Sequence, residues 1–275
     1  MPITVNDGGV LRTLSTVTTN DGGVIHEMNT VHANDGGVLR EIFSSSVDSA
    51  TVEGITPLVV AEDHLVIVDS GSFTLSAPAG ARIIVGGGAQ NGQQSTTAQG
   101  NYGTYYGVLG MGGKGGYVAD YILDKEIRNA ACTLSVGASV GYNAEQTITS
   151  IVIDGATYDC GSIVQILQSK WGPIGGNGGN GGYQSVGANG TGAGGGGGCG
   201  TQFCPSPVTS GFGGNYDGYG NKGETFDAVY LRKGGKGGYS AGGGGAGVYK
   251  ETALSFNTGS GGKGGAGIIV IEWDN

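Results

Sequence analysis

The chain alternates short apolar runs with long blocks of glycine and small polar residues. The clearest runs are "HLVIVDSGSFTL" (64–75), "ARIIVGGG" (81–88), "TITSIVIDG" (147–155) and "AGIIVIEW" (266–273). They are rich in β-branched residues and bounded by turn-forming residues, which is typical of β-strands. The nearest approach to a helical pattern, "ADYILDKEIRNAA", fits a strand followed by a turn equally well. We therefore predict an all-β protein.

The first 43 residues contain a repeat with a period of 14, whose copies begin at Asn6, Asn20 and Asn34. Each copy opens with Asn-Asp-Gly-Gly. Because Gly and Asn tolerate positive φ, this motif predicts a tight turn between strands, and the repeat predicts a three-rung β meander or short solenoid. Three short repeats bury too little surface to be stable alone. We expect this segment to attach the chain to other proteins or to further copies of itself.

The aspartates of the repeat, Asp7, Asp21 and Asp35, recur at the same spacing. Repeated aspartates bind Ca²⁺ in some β-rolls. The same residues also serve as ordinary turn formers. Turn chemistry is the favoured interpretation, and calcium binding stays open.

Glycine supplies 62 of the 275 residues, roughly three times its ordinary share. Much of it forms Gly-Gly-X triplets, as in "GGNGGNGGY" (175–183) and "GGKGGAG" (261–267). A polyproline II chain has three residues per turn and no internal hydrogen bonds. With glycine at two positions in three, such helices can approach closely and exchange backbone hydrogen bonds, while X residues such as Lys114, Lys236 and Lys263 face outwards. The triplets predict a stacked array of polyglycine II helices.

These patterns divide the chain into three parts. Residues 1–43 carry the repeat, residues 44–60 look like a connector, and residues 61–275 form a Gly-rich β and polyglycine II domain with recognition loops. The predicted fold class is therefore all-β with an irregular, Gly-rich body.

Charge and motif content exclude several classes of function. The net charge of −9 argues against nucleic-acid binding, which needs basic patches. No apolar run reaches 18 residues, so we expect no membrane span. The Gly-Lys-Gly motifs lack the Ser or Thr that a P-loop needs after its lysine, and no Gly-x-Ser-x-Gly elbow occurs. We predict no enzymatic activity, no cofactor and no metal.

The four cysteines fall into two pairs. Cys132 and Cys160 lie near strand-like runs, and we predict that they are buried as small apolar residues. Cys199 and Cys204, in "CGTQFC", are candidates for a small disulfide loop, with free thiols as the alternative. A zinc site needs about four ligands. No histidine lies near Cys199 and Cys204, so we predict no zinc site there.

Three stretches of the Gly-rich part resemble the Gly-rich domains of bacteriophage tail fibres and their adhesins. "GSFTLSAPAGARIIVGGGAQNG" (71–92) is similar to the entry of those domains, "GGYVADYI" with "CTLSVGASVG" to their middle, and "GSGGKGGAGIIVIEW" to their C-terminal end. The resemblance covers residues 61–275, departs around residues 147–171 and in the cysteine loop, and leaves residues 1–43 outside.

This resemblance implies stacked polyglycine II helices with exposed loops at one end that contact a host-cell receptor. It also implies a homo-oligomer, with a trimer favoured, and a virion location on a tail fibre or other external appendage. We then expect the N-terminal region to bind other virion or tail proteins.

Two loops have the composition of adaptable recognition surfaces, since they combine Tyr with Gly, Asn, Ser and Thr. They span residues 93–107 and 201–226. Their aromatic rings would contact a host cell-surface glycan or protein, or would instead pack on the glycine array and cap it. The candidate receptor-binding residues are Tyr102, Tyr105, Tyr106, Phe203, Phe212, Tyr216 and Tyr219.

We therefore expect a phage or phage-like fibre or tail protein that binds a bacterial cell-surface receptor. One alternative is a purely structural virion fibre or capsid decoration protein without a receptor. Another is an ice-binding protein, against which the outward Lys and Asn residues and the long loops argue. A hydrolase acting on surface glycans is a weaker alternative.

Overall fold

The structure is a computed structural model of the 275-residue chain. It describes residues 47–95, 110–163, 165–178, 237–243, 245 and 260–274 with their side chains. It also describes the backbone of strands within 4–44, 96–99, 105–108, 182–183, 199–200, 248–250 and 256–258. The chain forms two compact units, Met1–Asp48 and Ser49–Asn275.

The described residues of the first unit form three antiparallel hairpins, one at each Asn-Asp-Gly-Gly motif. In each hairpin the motif's Asp pairs with the Val three residues later, as Asp7 does with Val10, so the chain reverses at Gly-Gly as the motif predicts. Each hairpin joins the end of one copy to the start of the next, and each described strand pairs only with the other strand of its hairpin, so separate hairpins replace the expected meander or solenoid. The strands are β1 (Thr4–Asp7), β2 (Val10–Thr13), β3 (Val17–Asp21), β4 (Val24–Met28), β5 (Thr30–Asp35) and β6 (Val38–Ser44).

The second unit contains two five-stranded antiparallel sheets and several short strands. The strands are β7 (Thr51–Glu53), β8 (Val59–Val60), β9 (His64–Ile67), β10 (Gly71–Ala77), β11 (Arg82–Gly86), β12 (Thr96–Gln99), β13 (Tyr105–Val108), β14 (Val118–Ile122), β15 (Ile127–Ser135), β16 (Ser150–Ile153), β17 (Ala156–Asp159), β18 (Leu167–Ser169), β19 (Gly172–Ile174), β20 (Gly182–Tyr183), β21 (Cys199–Gly200), β22 (Val248–Lys250), β23 (Phe256–Thr258) and β24 (Ile268–Glu272). The first sheet has the strand order β17-β16-β15-β10-β7, and the second has the order β14-β11-β24-β9-β8. Strand β24 thus lies in the middle of the second sheet.

The all-β prediction is confirmed for the part of the chain that the structure describes, where no α-helix occurs. No helix long and apolar enough to cross a membrane is found in that part. Within residues 44–60, which the sequence suggested were a connector, Thr51–Glu53 and Val59–Val60 form β7 and β8 of the two sheets. These strands are only three and two residues long, so they carry too little pattern to be recognised in the sequence.

The main core lies between the two sheets. Alternate residues of the first sheet point into it, including Phe73 and Leu75 of β10 and Leu134 of β15. They pack against Ile83 of β11 and Ile269 of β24 in the second sheet. Cys132 and Cys160 are buried in this core as free thiols, as the sequence predicts.

The central strands of the second sheet, β9, β11 and β24, are buried on both faces. The sheet's other face carries Ile84 and Val270, which pack against Trp171 and Ile174 of the β18–β19 hairpin region and against Ala241. Burial on both sides explains why β9, β11 and β24 read as continuous apolar runs rather than as alternating patterns.

Glycine-rich segments continue three neighbouring strands of the second sheet. Segment A (87–93) follows β11, segment B (110–117) precedes β14, and segment D (260–267) precedes β24. Segment C (237–243) lies beside B and D, with Gly113 N donating to Gly243 O at 2.7 Å and Gly237 N donating to Lys263 O at 2.8 Å. We call these four segments the glycine array.

Segment A donates its backbone hydrogen bonds to three neighbours in rotation. Residues 87, 90 and 93 donate to segment B, residues 88 and 91 to residues 147 and 140, and residues 89 and 92 to segment D. The hydrogen-bond period has therefore changed from the two residues of a strand to three. The bonds are Gly87 N to Tyr117 O (2.8 Å), Gly88 N to Thr147 O (3.0 Å), Ala89 N to Gly265 O (2.9 Å), Gln90 N to Lys114 O (2.9 Å), Asn91 N to Val140 O (2.7 Å), Gly92 N to Gly262 O (2.8 Å) and Gln93 N to Met111 O (2.8 Å).

Close approach of these backbones requires glycine. A Cβ at Gly116 would lie within 3.0 Å of the Gly87 carbonyl, and one at Gly265 within 3.0 Å of Gly238. By contrast, the X residues Lys114 and Lys263 are exposed. The array therefore excludes side chains from its inner edges and admits them on its outer edge.

Alanine at Gly116 should destabilise the second unit by about 1–3 kcal/mol, because the new methyl group forces two backbones apart. Alanine at Gly141 is the matched control. That glycine is exposed, and its Cβ would meet only Ala144 Cβ at 4.0 Å, so its effect should stay within about 0.5 kcal/mol. Urea unfolding measures both changes. Equal effects of the two substitutions would contradict the close packing of segments A and B.

Candidate functional site

The glycine array ends, away from the two large sheets, in a group of short strands. Segment A leads through Gln93 into the β12–β13 hairpin, which returns the chain to segment B. The β22–β23 hairpin connects segment C with segment D in the same way. The two hairpins are in contact, β13 with β22 and β12 with β23. We call this group of strands the distal end.

A four-stranded sheet completes the distal end, in the order β20-β21-β22-β23. Strand β20 follows the triplet segment that begins at Gly175, and β21 pairs in parallel with both β20 and β22, with Gly200 opposite Val248. The predicted loop 201–226 begins directly after β21. Strand β22 pairs with β21 and also contacts β13, so the start of this loop lies two strands away from β13.

The structure thus places the starting points of both predicted recognition loops at one end of the array. Tyr105 and Tyr106 lie in β13, opposite Gln99 and Ala98. Tyr102 lies between β12 and β13 in the sequence. The other predicted contact residues lie outside the residues that the structure describes, together with Tyr102 and Cys204: they are Phe203, Phe212, Tyr216 and Tyr219.

The β22–β23 hairpin was missed by sequence reasoning. It brings "VYK" (248–250) and "FNT" (256–258) to the distal end beside β12 and β13. The available signal was a pair of short β-prone runs placed between two glycine segments, the same arrangement that flanks residues 93–107. The pairing of segments C and D could not be read from the sequence. For that reason, nothing indicated that the β22–β23 hairpin contacts the β12–β13 hairpin.

The opposite end of the second sheet carries a charged cluster. Arg82 Nε lies 2.7 Å from Asp120 Oδ2, and Arg82 Nη1 lies 2.8 Å from the buried Glu272 Oε1. Glu272 Oε2 also accepts a 2.8 Å hydrogen bond from Lys170 N, and Lys170 Nζ lies 3.2 Å from Asp274 Oδ1. Burial disfavours the charged guanidinium, but the hydrogen bonds to Asp120 and Glu272 outweigh it and raise the pKa of Arg82. These charged groups pair with one another. The cluster therefore links strand ends and does not present an unpaired reactive group.

Candidate metal ligands do not converge in the described part of the chain, where no three His, Cys, Asp or Glu side chains form a group. Asp7, Asp21 and Asp35 end β1, β3 and β5, but their side chains lie outside the description. Calcium binding by the repeat therefore stays a hypothesis.

Comparison of the chain with protein-family models, with curated proteins and with solved structures finds no match. What the chain does must therefore be inferred from its residues and their placement.

The two core cysteines should be unreactive in the folded protein. Burial raises the pKa of Cys132 to about 11 and also raises the pKa of Cys160, so neither forms the reactive thiolate near neutral pH. In a Cys199→Ser/Cys204→Ser variant, iodoacetamide at pH 8 should leave the native protein unmodified and should alkylate both cysteines after unfolding. Mass spectrometry counts the adducts.

The same measurement on the unsubstituted chain tests the predicted disulfide. Two adducts on the native protein would show free thiols at Cys199 and Cys204, whereas none would support a bond between them. Alkylation of Cys132 in the folded variant would contradict its burial in the core.

Proposed function

We propose that this chain is a fibre or tail component of a phage or phage-like particle, and that its distal end binds a bacterial cell-surface receptor. The observation that carries the proposal is that strands bordering both Tyr-rich loops belong to one group. Strand β21, which precedes residues 201–226, pairs with β22, and β22 contacts β13 of the hairpin that contains residues 96–108. In the proposed arrangement a large partner, such as a cell-surface glycan or protein, binds at this distal end.

The proposal includes the finer architecture of the scaffold, in which the glycine segments are polyglycine II helices. The rotation of segment A's donors among three neighbours supports it, because a helix with three residues per turn and no internal bonds directs successive N–H groups to three sides. The outward Lys114 and Lys263 support it as well, since both occupy the X position of a triplet.

The N-terminal hairpins complete the proposed assembly. A two-stranded hairpin is marginally stable alone, and the first unit consists of three. We infer that further copies of the chain, with a trimer favoured, or other virion proteins supply the missing contacts. The chain would then occupy an external appendage of the particle, with no catalytic role and no cofactor.

Amide hydrogen exchange tests the polyglycine II helix. All amides from Gly87 to Gln93 should exchange slowly, because each donates to a partner segment. NMR measures the exchange of each residue. Alternating fast and slow amides along this segment, as in an edge strand with one paired side, would contradict the three-neighbour arrangement.

Adsorption of particles that carry variant chains tests the receptor role. Replacing Tyr102, Tyr105 and Tyr106 by Ser should reduce attachment to the host by tenfold or more, because aromatic anchors dominate many interfaces. Replacing Tyr216 and Tyr219 should act in the same direction. The control is Val60→Ser, which changes an exposed apolar residue on the sandwich (72% exposed). Normal attachment of intact particles with both Tyr sets replaced would favour the purely structural role instead.

A further inference from the structure

A cleft of about 340 Å³ opens on the flank of the glycine array, where segments C and D run side by side. It is separate from the distal end, since segment D leads from it directly into β24. The residues that line it are Ala138, Ser139, Gly237, Gly238, Tyr239, Lys263, Gly264, Gly265 and Ala266.

Backbone hydrogen bonds tie the walls of the cleft together. Gly237 N donates to Lys263 O at 2.8 Å and Gly265 N donates to Ala241 O at 2.8 Å, so segments C and D are tied together along the cleft. Gly264 N donates to Asn91 Oδ1 at 2.9 Å. Because four of the lining residues are glycines, peptide groups rather than side chains form much of the surface. Several of these peptide groups are already bonded within the array, but each carbonyl oxygen can accept a second hydrogen bond. A ligand with many hydroxyl groups could donate to these carbonyls without displacing any side chain.

Tyr239 gives the cleft an aromatic wall. The Tyr239 side chain is half-buried and packs against the core that contains Trp171 and Ala241, and this packing restricts its position. A tyrosine combines an apolar ring face with a polar hydroxyl group. Ser139, on the segment that follows β15, adds a second hydroxyl to the lining. This combination suits a flat ligand with one apolar face and a polar rim.

The cleft carries a local positive charge on an acidic protein. Lys263 is exposed and is the one charged residue among the nine that line the cleft, all of which the structure describes. The chain as a whole has a net charge of −9. A neutral ligand could accept a hydrogen bond from Lys263. An anionic ligand would in addition pair its charge with this cation, and no acidic residue belongs to the same lining.

We propose that this cleft binds a short acidic saccharide. A sugar ring packs on Tyr239, its hydroxyl groups bond to the peptide groups of the glycine walls, and its carboxylate pairs with Lys263. The volume lies at the lower end of ordinary ligand sites, which fits a short saccharide rather than a long polymer enclosed along its length. The proposal does not depend on the distal end being a receptor site.

The test uses the full chain and a panel of short saccharides that contain a uronic or sialic acid, each paired with its neutral counterpart. Inorganic phosphate and a short acidic peptide complete the probes. Binding is measured by isothermal titration calorimetry and by saturation-transfer NMR. The variant is Lys263→Gln, and the matched control is Lys114→Gln, which removes the exposed lysine of another GGKGG triplet outside the cleft.

At least one acidic saccharide should bind, and Lys263→Gln should weaken its binding by about two- to fivefold, because solvent screens an ion pair at an exposed lysine. Lys114→Gln should leave binding unchanged, and so should the Tyr→Ser changes at the distal end. Four outcomes would overturn the proposal: no binding by any acidic saccharide, equal binding of the neutral counterparts, equal losses in the two Lys variants, or equal binding of phosphate or the acidic peptide.

Discussion

The fold of the second unit depends on one constraint, which is that every buried peptide group needs a hydrogen-bond partner. Segment A has little side chain to bury, and it meets the constraint only because three neighbours surround it. Those neighbours are distant in sequence: residues 111–117, residues 140 and 147, and residues 262–265. No part of the array can therefore form by itself. Such long-range pairing is expected to make folding slow, since loops must close before any contact is gained.

The second sheet aligns the glycine segments that continue its strands. Gly86 is paired with Val118 on one side and with Ile268 on the other, so β14, β11 and β24 are aligned where the glycine segments begin. The central strands of the sheet are held by apolar burial on both faces, whereas few apolar side chains of the array, such as Ala241, belong to a core. The sandwich thus supplies most of the free energy of burial, and the array extends its strand alignment outwards mainly by backbone hydrogen bonds.

The sequence predicts where the strands lie along the chain better than it predicts which strands pair with each other. The apolar runs at 64–75, 81–88 and 266–273 gave strands, and the triplets gave outward lysines at 114 and 263, because these signals are local. The position of β24 between β9 and β11 joins residues about 200 apart and leaves no local trace. The same reason hides the flank cleft, since Ser139, Tyr239 and Lys263 come from three distant segments. Composition did identify a Tyr-rich loop on the first distal hairpin, but not the second hairpin that meets it.

The architecture separates positions that cannot change from positions that can. A side chain at an inner glycine collides with a neighbouring backbone, as at Gly116 and Gly265, so substitution there disturbs several segments at once. The β12–β13 hairpin, by contrast, is attached at both ends to fixed segments and adds no partner to segment A's donors at 87–92. Substitution at its tip therefore costs the scaffold little. A protein that must follow a changing partner gains from this arrangement, because new distal loops can be tried without refolding the array that displays them.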